Sequence, residues 1–169
     1  MPYAKTHYYR RDNRLFEEYK AVLSAEKMPS TLAEFQQMEY NEGRRFDLLR
    51  QYKESVEKGK VNNIGFYKFE AVLKEANEKI IGITTSTGVR VEGISYHLIE
   101  RIICSDKEKR LGVSVDRIVE TLINGACDNK IKVNDKGQRG VGFIGEGVFV
   151  SFNIDTKTVI QCRPMSRKK

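Results

Sequence analysis

The chain has 169 residues, 40% of them hydrophobic, with 30 lysines and arginines against 23 aspartates and glutamates, a mixture that suits one soluble domain or one domain with an appendage. No run reaches the roughly 18 apolar residues that cross a bilayer, and Met1-Pro2-Tyr3-Ala4-Lys5-Thr6-His7 lacks the apolar core of a signal peptide, so no membrane partner is expected. The formal charge is +7, and the excess lies in residues 81–169, with 15 basic and 10 acidic side chains against 15 and 13 in residues 1–80; such a field attracts polyanions, unless Arg167-Lys168-Lys169 is simply a solvated tail.

In chain order, Leu15, Phe16, Tyr19, Val22 and Leu23 form an amphipathic stripe that predicts a helix from Asp12 to about Ala25, broken by Met28-Pro29-Ser30. Thr31 followed three residues later by Glu34 reads as a capping box opening a second helix through Leu32, Phe35 and Met38. Phe46, Leu49, Tyr52 and Val56 carry a third, closed by Lys58-Gly59-Lys60, and a fourth runs from about Tyr67 to Lys79. The break at Lys58 to Asn63 divides a helical N-terminal region, 1–62, from the remainder, 63–169.

Beyond Gly82 the period changes. Ile81 to Thr85 and Val89 to Val91 flank Ser86-Thr87-Gly88 as a short hairpin. Ser95 caps a helix through Leu98, Ile99, Ile102 and Ile103, and Ser114 caps another ending at Asn124-Gly125. Strands are predicted at Lys130 to Val133, Val141 to Ile144, Val148 to Ile154 and Thr158 to Arg163, with short connections that imply antiparallel neighbours. The whole is an α+β layout, a helical region followed by two helices packed on one face of a small antiparallel sheet. If the turn Asp155 to Lys157 pairs Ile154 with Thr158, Val148, Val150, Phe152, Thr158, Ile160 and Cys162 share the core face. Ser151, Asn153, Gln161 and Arg163 then share the other, either a solvated face or a ligand-binding one.

Cys104, Cys127 and Cys162 are odd in number and show no Cys-x-x-Cys spacing, so neither a disulfide framework nor a structural zinc site is suggested, and a reducing compartment is the default. There is no P-loop, dinucleotide fingerprint, paired-His metal motif or nucleophile elbow, and no cofactor or metal is expected. His97 and Arg101, in Ser95-Tyr96-His97-Leu98-Ile99-Glu100-Arg101, are four apart and project from one face of a helix, away from Leu98, Ile99 and Ile102. Cleavage of a phosphodiester by its own 2′-hydroxyl needs proton transfer and cationic donors for the phosphorane. Imidazole supplies the first near neutral pH and guanidinium the second, without a metal. The plainer alternative is a surface histidine and an arginine paired with a neighbouring carboxylate.

The stretch from about Asn77 to Pro164 resembles the nuclease-like domain of phage and prophage proteins grouped with barnase, EndoU, colicin D and RelE ribonucleases, often fused to phage head-morphogenesis or minor capsid proteins. The resemblance rests on Ile80-Ile81-Gly82-Ile83-Thr84-Thr85, on Ser95 to Arg101, on Arg110-Leu111-Gly112-Val113-Ser114 and on the closing strand pair. It implies a helix-plus-four-stranded-sheet fold with the site on the open sheet face, His97 as general acid or base and Arg101 as phosphate ligand. Arg110, Ser151, Asn153, Gln161 and Arg163 would contact substrate. Such domains often carry hydrophobic-Thr-x-x-Pro on the last strand, with Ser as the variant, where this chain has Ile160-Gln161-Cys162-Arg163-Pro164. Either Gln161 binds a phosphate or base, or activity is weakened or lost.

The function so implied is a phage-associated, metal-independent RNA endonuclease or toxin, acting in the cytoplasm of a bacterial host or carried on the virion. Its expected partners are RNA, capsid or portal proteins, and a cognate immunity protein. The alternatives are a catalytically inactive minor capsid component and a sequence-independent nucleic-acid-binding module. The N-terminal aromatics, including Phe16, Tyr19, Phe35 and Phe46, read either as core or as a base-stacking surface, and Tyr8-Tyr9-Arg10-Arg11, outside any stripe, reads as a docking segment for a capsid, a portal or an inhibitor.

Overall fold

A computed structural model describes residues 5–24, 26–41, 43–61, 64–103 and 112–165. Arg110, the rest of the charged loop from Ser105 to Leu111, Cys104 and the basic tail from Arg167 lie outside the described residues. The chain divides into two compact units, Met1–Glu70 and Ala71–Lys169. Among the described residues, no helix is long and apolar enough to cross a membrane.

The first unit is helical. Helix α1 spans Lys5–Val22, α2 Leu32–Asn41, α3 Gly43–Glu57, and α4, Phe66–Lys79, carries the chain into the second unit. Helix α1 starts well before the stripe that signals it, so Tyr8-Tyr9-Arg10-Arg11 is helical rather than a separate segment ahead of the helix. A polar first turn carries no apolar periodicity, which is why the pattern placed the start too late. Phe16, Tyr19 and Phe35 are core: all three are buried, and Phe35 meets Phe16, Tyr19 and Phe46 at 5.3–5.5 Å between ring centroids. Buried Asp12 is satisfied by the Arg11 guanidinium at 2.8 Å and the Gln36 amide at 3.1 Å. The capping box forms one residue out of step, since Thr31 accepts from the Glu34 N–H while the Glu34 carboxylate takes the Ser30 rather than the Thr31 N–H. Gly59, at φ +71°, ends α3 in the left-handed region. The Tyr52 hydroxyl donates to the Ile64 carbonyl, and burial pushes its pKa up.

The second unit is a mixed α+β layer. Its elements after α4 are β1 (Gly93–Ile94), α5 (Tyr96–Ile103), α6 (Val115–Asn124), β2 (Ala126–Cys127), β3 (Lys132–Val133), β4 (Arg139–Gly145), β5 (Val148–Asn153) and β6 (Thr158–Pro164). The strand order is β1-β6-β5-β4-β2, with β3 also on β4. Val148, Val150 and Phe152 of β5, Phe143 of β4, and Val159 and Cys162 of β6 are buried, as are Leu98 and Ile99 of α5 and Ile118 and Leu122 of α6.

The short hairpin around Ser86-Thr87-Gly88 forms as expected: Thr84 bridges Arg90 antiparallel, the Thr85 N–H donates to the Val89 carbonyl and the Val91 N–H to the Ile83 carbonyl, and Gly88 takes φ +86° in the turn. Two expectations are corrected. The sheet is not wholly antiparallel: β1, too short to show an alternation in sequence, pairs parallel with β6, Gly93 opposite Thr158 and Ile94 opposite Val159. The register of the last hairpin follows expectation only at its far end, where Ser151 opposes Gln161 and Val150 opposes Cys162. Toward the turn a bulge intervenes, so that Phe152 opposes Val159 and Asn153 opposes Thr158. The extra residue is Ile160. Its insertion inverts the phase of the strand, so buried Val159 replaces Ile160 on the core face while Gln161 keeps its outward position.

Candidate active site

Strand β1 delivers α5 to its place. Because β1 runs parallel to β6 and ends opposite Val159, the chain leaving it continues along the β6 edge. Ser95 fixes the junction: its N–H donates to the Val159 carbonyl at 2.9 Å, its hydroxyl donates to the Ile160 carbonyl, and the same oxygen caps α5 by accepting from the Leu98 N–H at 3.1 Å. The bulge thus has a purpose, since the inserted residue offers the carbonyl that Ser95 binds. Ser95→Ala is expected to cost about 0.5–2 kcal/mol, the usual range for a lost cap, read as a lower thermal midpoint. A variant with the parent's stability would show that the cap does not hold α5.

His97, the second residue of α5, faces β6. Its Nε2 lies 3.2 Å from Gln161 Oε1 and 3.4 Å from the donating Nε of Arg101, and its Nδ1 lies 3.7 Å from Glu100 Oε2. A ring nitrogen that accepts from Arg101 cannot also donate to Gln161; turning the Gln161 amide through 180° presents its NH2 to Nε2 and satisfies both contacts. A neutral ring then carries its proton on Nδ1, with the Glu100 carboxylate 3.7 Å away, beyond hydrogen-bond distance. In that tautomer Nε2 is a base lying between an amide and a guanidinium. The His97 side chain is 33% exposed and that of Glu100 only 13%, so solvent reaches the imidazole while the carboxylate behind it is largely screened.

Of the residues singled out from sequence, the structure brings His97, Arg101 and Gln161 together, with Ser151 directly across the ladder from Gln161. Arg163, two residues beyond Gln161, lies on the Phe149 ring at 4.7 Å. Asn153 does not join them. It is buried at the hairpin turn, where its oxygen accepts from the Asp155 and Thr156 N–H groups and its amide donates to Gln138 Oε1 at 3.0 Å. Asn153 stays in phase with Ser151 along β5, Gly140 opposite one and Gly142 opposite the other, and it is the turn N–H groups that draw its side chain away from the cluster. Arg110 lies outside the described residues.

Glu100 is the residue that sequence reasoning passed over. Its spacing of three from His97 on a helix was the available signal, but an acid next to an arginine reads first as that arginine's own partner. Cys162 contributes no nucleophile: burial pushes its thiol up to about 12, against the opposing charge of Arg101. Among the described residues no group of three His, Cys, Asp or Glu side chains is placed to hold a metal ion. Comparison of the chain with protein-family models, with curated proteins and with solved structures gives no match in any of the three.

Proposed function

We propose that the chain is a metal-independent endoribonuclease that cleaves RNA by attack of a 2′-hydroxyl on the adjacent phosphorus. The observation that carries the reading is the His97 cluster, an imidazole Nε2 within 3.4 Å of a guanidinium and 3.2 Å of an amide, beside the open face of a sheet. In this scheme His97 Nε2 takes the proton of the attacking 2′-hydroxyl, and the Glu100 carboxylate, 3.7 Å from Nδ1, offsets the charge of the imidazolium. The Arg101 guanidinium turns from the imidazole to the equatorial phosphate oxygens as negative charge grows there. Gln161 and Ser151 donate to the same phosphate or to the 2′-oxygen. The cluster holds a single imidazole, so the departing 5′-oxygen takes its proton from solvent.

The mixed α+β unit, with α5 packed against β6 and α6 against β4 and β5, supports the resemblance to the phage-associated nuclease group, and with it a toxin or particle-borne role. RNA is the substrate in this reading; capsid, portal or immunity proteins are the partners the resemblance adds. A second reading, the same fold serving a non-catalytic capsid role, is favoured by Gln161 standing where such domains often carry a hydroxyl. Incubation of purified protein with RNA in excess chelator is the deciding experiment: fragments ending in 2′,3′-cyclic phosphate are expected, and DNA or RNA without 2′-hydroxyls should remain intact. Chelator-sensitive cleavage, or fragments bearing 5′-phosphates and 3′-hydroxyls, would sink the mechanism. Intact RNA after prolonged incubation would favour the capsid role.

A further inference from the structure

We infer that the Phe149–Arg163 pair is a stacking platform for a nucleobase of single-stranded RNA, one nucleotide along from the His97 cluster; this rests on the reading of that cluster as a ribonuclease site. Phe149 and Arg163 oppose one another across β5 and β6, and Arg163 lies 4.7 Å from the centre of the Phe149 ring. The ring is laid on the sheet rather than standing off it. A Cβ at Gly142 would come within 2.4 Å of Phe149 Cε2, so only glycine at that position lets the ring lie there. Gly142 pairs with Ser151, which pairs with Gln161, so the ring leans toward the row of residues that meets His97.

The arginine is placed unlike those that serve the fold. Arg139 is committed to Asp155 at 2.7 Å and Arg11 to Asp12 at 2.8 Å, whereas among the described residues Arg163 has no carboxylate at ion-pair distance and is exposed. A guanidinium stacked on a ring keeps its N–H edge and its second face available, and bases stack on such planes whatever their sequence. From Gln161 to Arg163 is two residues, about 6.6–6.8 Å along a strand, within the span of one nucleotide. A phosphate held at His97, Arg101 and Gln161 thereby leaves its neighbouring base over Arg163. The ligand class is an unpaired nucleotide; a base already stacked in a duplex cannot present its face.

The test uses the intact chain and a fluorescent single-stranded 2′-O-methyl oligoribonucleotide, which binds but has no nucleophile. Phe149→Leu keeps apolar bulk over Gly142 and removes the aromatic face; Arg163→Lys keeps the charge and removes the plane. Each is expected to weaken binding by roughly 5–100-fold, the range of one lost stacking contact, with thermal midpoints close to the parent's. Unchanged affinity in both folded variants overturns the platform and leaves a surface contact of the sheet. A parent chain that fails to bind the oligonucleotide at low salt overturns it equally. Weakened binding in the variants of a parent that cleaves no RNA would uphold the platform while removing the ribonuclease reading, so the two failures are distinct.

Discussion

His97→Ala is expected to lower the rate of RNA cleavage by about 10²–10⁴-fold, the usual contribution of a positioned acid or base, with KM little changed. The split follows from the geometry. Nε2 has its contacts to Arg101 and Gln161 already formed in the free protein, and the substrate proton moves to it only in the transition state, so its loss falls on kcat. Arg101→Lys separates charge from shape at the same place. Lysine keeps the cation and loses the bidentate plane, a charge-assisted bond of roughly 1.5–3 kcal/mol, on the order of 10–100-fold in rate when that bond strengthens only on the phosphorane. Glu100→Gln should leave the fold intact and lower kcat less than His97→Ala does, because it removes the charge that offsets the imidazolium without removing the base. An unaffected His97→Ala variant would refute the assignment of the site, and an Arg101→Lys variant equal to the parent would remove the arginine from the chemistry.

The parts of this site legible in the sequence were those governed by local rules. The i, i+4 spacing of His97 and Arg101 and the Ser95 cap follow from helix geometry, and the opposition of Ser151 and Gln161 follows from strand alternation, which survives on that side of the bulge. What escaped was set by pairing between distant segments. Strand β1 is two residues long, Gly93–Ile94, and carries no alternation, yet its parallel pairing with β6 is what aims α5 at Gln161. Asn153 keeps its phase with Ser151 along β5, yet its side chain is taken by the Asp155 and Thr156 N–H groups of the turn. The exchange of Val159 for Ile160 on the core face comes from the bulge in β6, since nothing in two adjacent β-branched residues marks which of them a bulge will expel. Phe149 went unnoticed for a related reason: an aromatic on a strand signals burial, and only the glycine opposite Ser151 shows that the ring lies flat.

The phase inversion sets a large stability effect in the second unit. Val159 is fully buried, between Ile94 on one side and Phe152 on the other, with its carbonyl taken by Ser95; Phe152 in turn packs edge-on against Phe143 at 6.1 Å. Val159→Asp would place an unpaired carboxylate in that core and is expected to cost more than about 4 kcal/mol, a loss that a domain stable by roughly 5–15 kcal/mol barely survives. Ile160→Asp, one residue on, should cost about 1 kcal/mol, because its side chain is half-buried and its structural contribution is a backbone carbonyl that any residue supplies. Thermal or urea unfolding of the two variants side by side discriminates the registers. A regular ladder pairing Ile154 with Thr158 would put Ile160 in the core and Val159 outside, and the order of the two effects would reverse. With the bulge in place, Val159→Asp takes away most of the second unit's stability, whereas Ile160→Asp keeps the carbonyl that Ser95 binds and leaves Gln161 facing His97, so any cleavage by that variant should stay close to the parent's.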